Sequence, residues 1–209
     1  MIYSSIRSAI QQAVYHIIDP LVNGALKIGI TPNMVTTFGL IGNIAGAAMV
    51  VYSALYAPAD DYSLMGWAGV IMLFSSVMDM VDGYMARKSG KVTVFGAFYD
   101  SVLDRYSELI TLAALSFYFM QTAHPWAAII TLCSLTGSLM VSYTRARAEG
   151  LDVECKVGLM QRPERVVLTI SGMMLCGIMQ GVLTFSSLWF VIFTQFIIAL
   201  LSNITAMHR

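Results

Sequence analysis

No charged residue stands between Lys27 and Asp60, between Glu108 and Arg145, or between Arg165 and Arg209. Each gap is long enough to cross the hydrocarbon core of a bilayer at least once, since a spanning helix needs about 20 apolar residues at about 1.5 Å each. Composition agrees. The chain of 209 residues is 57% hydrophobic and 11% charged, where a soluble domain would carry about 25% charge. The expectation is therefore an integral membrane protein, all α.

The charges divide the spans. One fits about 34 to 56 and a second about 63 to 81. The run from 109 to 144 is too long for one crossing, and "QTAHP" (121–125) breaks it into spans near 96–120 and 126–148. The uncharged run after Arg165 is broken by "MQGVLTFSS" (179–187) into spans five and six. In this scheme all twelve Lys and Arg residues fall on one side: Arg7 and Lys27, Arg87 through Arg105, Arg145 through Arg165, and Arg209. The other three connections hold none. Six spans with both ends on the basic side give this partition, and the positive-inside rule makes that side cytoplasmic.

The first stretch reads differently. Ile2, Ile6, Ile10, Ala13, Ile17 and Leu21 recur at helical spacing, which predicts an amphipathic helix lying in the membrane interface. The chain then divides into an interfacial helix and turn over 1–30 and a six-helix transmembrane domain over 31–209. Thr31 is a candidate cap and Pro32 suits a first helical turn. Gly39, Gly42 and Gly46 thin one side of span one for close helix packing.

Against this oily background, residues 78 to 108 hold Asp79, Asp82, Asp100, Asp104 and Glu108. Asp79 and Asp82 are three apart and share a helix face, as do Asp100 and Asp104, four apart. Gly83, Ala86 and Gly96 leave room beside them. Unit charges 4 Å apart cost about 4 kcal/mol at an effective dielectric of 20, so a cation must sit among them. Oxygen ligands without His or Cys favour magnesium, manganese or calcium over zinc. Four carboxylates suit a two-metal site that clamps a phosphoryl displacement. Acids at a membrane edge default to function rather than packing.

The pattern Asp79-x2-Asp82-Gly83-x2-Ala86-Arg87-x8-Gly96-x3-Asp100-x3-Asp104 resembles the full signature of the CDP-alcohol phosphotransferases, also called CDP-alcohol phosphatidyltransferases. The six-span plan with an interfacial helix is similar to that family's plan. The resemblance implies an enzyme that moves a phosphatidyl group from CDP-diacylglycerol to a polar alcohol and releases CMP. It implies that Asp79, Asp82 and Asp100 bind two divalent ions, Mg2+ or Mn2+. It implies that Asp104 is both close to the metals and the general base. It assigns the CDP pocket to Asp82, Gly83, Ala86, Arg87 and Gly96, with Thr31, Pro32 and Asn33 beside the nucleotide. It further implies a homodimer in the cell membrane, a bacterial inner membrane by the same likeness, with the active site cytoplasmic.

The acceptor is read from the basic residues. "SYTRARAEG" (142–150) and "QRPERVV" (161–167) together with Arg105 put a dense basic set beside the acids. Arginine forks bind phosphate bidentately, so Arg105, Arg145, Arg162 and Arg165 are candidates for the phosphate of an anionic acceptor. "YDSVLDR", "ARAEG" and "RPER" are similar to stretches of bacterial phosphatidylinositol-phosphate synthases, with Arg145 and Gln161 departing from that pattern. Inositol phosphate is the expected acceptor, ahead of glycerol 3-phosphate, inositol or serine.

Two other classes fit this pattern less well. An intramembrane prenyltransferase carries its aspartates on helices far apart in sequence. A cation carrier needs acids or broken helices near mid-membrane, and spans one, four, five and six offer no acid there. A net charge of zero excludes an electrostatic case for nucleic acid. Cys133, Cys155 and Cys176 match no metal or disulfide spacing, and His16, His124 and His208 are isolated.

Overall fold

A computed structural model describes residues 19–20, 22–90, 92–153, 155, 158, 160–182 and 186–209. The expected interfacial helix lies almost wholly outside them. Within them the protein is all-helical, with α1 (Pro32–Tyr56), α2 (Ser63–Lys88), α3 (Val94–Gln121), α4 (Pro125–Glu149), α5 (Arg162–Met179) and α6 (Trp189–Met207).

The helix ends follow local chemistry. The Thr31 side chain accepts a hydrogen bond from the Met34 amide, and Pro32 occupies the first turn of α1, where its missing N–H costs nothing. Thr93 caps α3 by accepting from the Gly96 amide at 2.9 Å. The break at 121–125 is a tight turn that holds Ala123 at φ 58, and Pro125 then opens α4.

The helices close a ring. α1 packs on α2, α2 on α5, α5 on α6, α6 on α4, α4 on α3 and α3 back on α1. Lipid gives little hydrophobic drive for helices to pair, so small residues and polar links must do it. At the crossing of α2 and α5, Gly66 and Gly177 meet backbone to backbone; a Cβ on Gly66 would stand 2.9 Å from the Gly177 Cα. Ser134 donates to the Gln195 carbonyl at 2.7 Å, and Gln195 donates to Thr169 at 3.2 Å. Large apolar side chains such as Phe38, Trp67, Phe74, Ile129 and Phe193 point outward instead.

Four helices, α1, α2, α4 and α6, are long and apolar enough to cross a membrane. α3 carries Asp100, Asp104, Arg105 and Glu108 between its start and its midpoint region, and α5 opens on Arg162, Glu164 and Arg165. Charge concentrated at one end of these two lowers their apolar length.

Just before α1, residues 22–27 are helical. Asp19 accepts hydrogen bonds there from Lys88, from Tyr84 at 2.5 Å and from Asn23 at 3.2 Å. Lys88, and after it Tyr84, hold the Asp19 carboxyl below the usual carboxylate range. The basic end of α2 is thus tied to the segment that enters α1.

Candidate active site

The acids collect at the end of the ring where α2 finishes and α3 begins. Asp79 and Asp82 point from adjacent turns of α2, and Asp100 and Asp104 from adjacent turns of α3. α1 packs on both helices and brings a side chain that the sequence reading passed over. Thr36 Oγ1 donates to Asp82 Oδ2 at 2.5 Å, and both residues are about 4% exposed. Gly39, on the next turn of α1, lies against Asp79: a Cβ there would stand 2.7 Å from Asp79 Oδ1. Gly42 and Gly46 face Ser75 and Met72 of the same helix. The small-residue stripe of α1 therefore serves packing along most of its length and makes room for a carboxylate at its top.

A cation does stand among the acids, and it is an arginine. Arg162 Nη2 lies 2.7 Å from Asp79 Oδ2 and 2.6 Å from Asp104 Oδ1. Its Nε has no hydrogen-bond partner among the described residues. As the side chains stand, no group of three or more Asp, Glu, His or Cys residues is gathered tightly enough to hold a metal among the described residues. The donor set is nonetheless all carboxylate oxygen on adjacent turns of two helices, and it draws in a positive charge. That chemistry fits hard divalent cations such as Mg2+ and Mn2+.

Beside Asp82 and Asp100 a cavity of about 190 Å³ opens between α1, α2 and α3. Pro32, Asn33, Gly83, Ala86, Arg87 and Gly96 line it. These are the residues assigned to CDP, apart from Thr31, which caps α1. The Arg87 guanidinium lies back along α2 beside Gly83, where an added Cβ would stand 3.4 Å from it, an ordinary contact.

The four candidate arginines separate. Arg162 reaches the aspartates. Arg165 is 2% exposed and makes a two-pronged pair with Glu108, Nε to Oε1 at 2.6 Å and Nη2 to Oε2 at 2.9 Å. Arg105 donates to the Ser101 carbonyl at 2.8 Å and lines a groove between α3 and α4. Arg145 is exposed and pairs with Glu149 at 2.9 Å, one helical turn along α4. Glu108, which the sequence reading left without a role, is thereby part of the site's frame. Its signal was present: it follows Asp104 by one turn on the same face.

Residues 29–202 match the sequence model of the CDP-alcohol phosphatidyltransferase family. The chain belongs to that family. As a member it is an enzyme that transfers phosphatidyl groups, embedded in a membrane through its apolar helices. It is 30% identical over 197 residues to a phosphatidylinositol phosphate synthase of Mycobacteroides abscessus, covering 92% of this chain and 81% of that one. It is similar in structure to Mycobacterium tuberculosis phosphatidylinositol phosphate synthase with CDP-DAG bound, with a TM-score of 0.78 and 28% identity, covering 93% of this chain and 92% of that one. A second structure of that enzyme, in complex with manganese and citrate, superposes with a TM-score of 0.77 at 28% identity, covering 91% and 85% of the two chains. Divalent metal belongs to the chemistry of this family fold.

Proposed function

We propose that this enzyme transfers the phosphatidyl group of CDP-diacylglycerol to inositol phosphate, giving phosphatidylinositol phosphate and CMP. The observation that carries the reading is Arg162, a guanidinium held at the aspartate cluster from a different helix. A phosphomonoester brings close to two negative charges near neutral pH and needs its own cation beside an acidic site. Arg162 can supply it with a planar fork. The amide groups at the start of α5, opened by Arg162 and Pro163, add positive dipole character at the same place. Arg105 and Arg145 contribute positive charge at the rim. Likeness to enzymes named for the same product supports this acceptor.

In this reading Asp79, Asp82, Asp100 and Asp104 hold two divalent ions, Mg2+ or Mn2+. When bound, the ions supply Lewis-acid stabilisation of charge on the pyrophosphate. Thr31, Pro32, Asn33, Gly83, Ala86, Arg87 and Gly96 seat the CDP group. Asp104 accepts the proton of the acceptor hydroxyl as its oxygen bonds to the lipid-side phosphorus and the bond to CMP breaks. Arg162 leaves Asp79 and Asp104 for the acceptor phosphate.

The same reading takes α1 to α6 as six membrane spans in a domain over 31–209, with an interfacial helix within 1–30. It places the site and both termini on the cytoplasmic face of a bacterial cell membrane, and two copies in a homodimer. The partition of basic residues supports the orientation. The lipid tails then stay in hydrocarbon while the headgroup meets water at the aspartates.

The test is an acceptor panel. Purified enzyme with CDP-diacylglycerol and Mn2+ is offered inositol phosphate, inositol, glycerol 3-phosphate or serine, and both CMP and lipid product are scored. Preference for inositol phosphate is expected. Faster use of another acceptor overturns the acceptor assignment, and absence of CMP with all four overturns the reaction.

A further inference from the structure

Two rungs of charge cross the ring between α3 and α5. Asp104 meets Arg162, and one turn further along each helix Glu108 meets Arg165. The spacing is the helical one, Asp104 to Glu108 on α3 and Arg162 to Arg165 on α5. α3 and α5 are not packed neighbours; α1 and α2 separate them on one side of the ring and α4 and α6 on the other. Helix packing sets the height of α5 against α3 only through the intervening helices of the ring, and the direct link between the two is made by side chains.

The rungs differ in kind. Arg165 is 2% exposed, both prongs of its fork are taken by Glu108, and its Nη1 donates to the Met160 carbonyl at 3.2 Å. Its side chain is saturated and ties the chain entering α5 as well as α3. The Arg162 side chain is 28% exposed and its Nε has no partner among the described residues. One rung is built to stay and the other is able to exchange partners. Buried ion pairs are weak sources of stability, and their best-attested use is to fix register.

We propose that Glu108 and Arg165 are positioning residues: their buried pair fixes the register of α5 on α3, and so sets Arg162 at the height where it meets the acceptor phosphate. This rests on the acceptor reading above. It takes Arg165 out of the set that touches the acceptor and gives Glu108 a function through another residue. Loss of the pair lets the α5 start shift, and Arg162 loses its aim while the CDP cavity, built from α1, α2 and α3, is left as it was.

The experiment uses the full chain in detergent with Mn2+. Glu108→Gln keeps the shape and removes the charge; Arg165→Lys keeps the charge and removes the fork. For each variant the KM of inositol phosphate and of CDP-diacylglycerol are titrated separately, alongside the thermal unfolding midpoint. The expected result in both is a rise of about tenfold or more in acceptor KM, since small misplacements of a positioning group are amplified in this way, with CDP-lipid KM within about twofold. An equal rise in both constants, no rise in either, or loss of the folded protein in both variants overturns the positioning role. If the wild type prefers another acceptor, the acceptor assignment fails, and the same split measured on the preferred acceptor still decides the role of the pair.

Discussion

Thr36 Oγ1 donates a hydrogen bond to Asp82 Oδ2 at 2.5 Å, joining the second turn of α1 to the last turns of α2. The same oxygen lies 3.1 Å from the Pro32 carbonyl, one turn back on α1, so its single proton has two acceptors within reach and the shorter contact is the one to Asp82. It orients one carboxylate oxygen and leaves the other for a ligand. A hydrogen bond to a charged group is worth about 1.5–3 kcal/mol. Thr36→Val, near in shape but without the donor, should raise the Mn2+ concentration needed for half-maximal CMP release by about tenfold, at that magnitude. An unchanged metal titration would remove Thr36 from the site's supporting cast.

The aspartates themselves should be far less tolerant. Asp79→Asn, Asp82→Asn and Asp100→Asn each take a charged oxygen donor from a shared cation site. Each should cost at least about 10²-fold in turnover, the scale of losing one strong electrostatic contact to the transition state. Excess chelator should silence the wild type, and Mg2+ or Mn2+ should restore it. Full activity in chelator contradicts the metal reading outright.

Asp104 is distinguished by what survives its loss. Asp104→Asn should reduce kcat by about 10²- to 10⁴-fold, the usual worth of a general base, while CDP-lipid binding is largely kept. Binding measured directly on the variant separates the roles. If binding falls as far as turnover, Asp104 is chiefly a metal ligand.

Gly39 gives a test from sterics alone. A methyl group there would stand 2.7 Å from Asp79 Oδ1, so the carboxylate must move. Gly39→Ala should keep the fold, because the rest of the α1–α2 contact is untouched, and should lower turnover by about 10²-fold, as a misplacement of about 1 Å does. Gly24→Ala, where nothing among the described residues lies within 4 Å, is the control and should be silent. Equal behaviour of the two variants would show that Asp79 has no fixed position to lose.

Orientation is checked by labelling. In a cysteine-free background, Asp60→Cys and Ala123→Cys should react with an impermeant thiol reagent added to intact cells, and Ser89→Cys should react only after lysis. The expectation follows from the basic residues, all of which fall on the side of Ser89. Labelling of Ser89→Cys from outside reverses the topology.

The sequence alone determined the all-helical membrane class, because a long apolar run such as 28–59, without the short alternating segments of a barrel, satisfies its backbone in lipid as a helix. It also determined the acid signature and the family, because Asp79, Asp82, Asp100 and Asp104 lie at helical spacings that survive in any packing of the helices. The ends of α1 to α4 fell within about two residues of the breaks read from charge, Pro and Gly, apart from the C-terminus of α2. That helix continues past its apolar stretch to Lys88 and so carries Asp82 and Arg87 on the same helix as Asp79. What only the tertiary structure decided was the sorting of partners between helices. Arg162 and Arg165 are alike in composition and three residues apart, yet one faces Asp79 and Asp104 and the other is locked to Glu108. Thr36 and Gly39 looked like ordinary residues of a packed span until α2 was laid against them. Helical periodicity says which residues share a face. Which face meets which, and at what height, depends on how six helices close into a ring, and no local pattern carries that information.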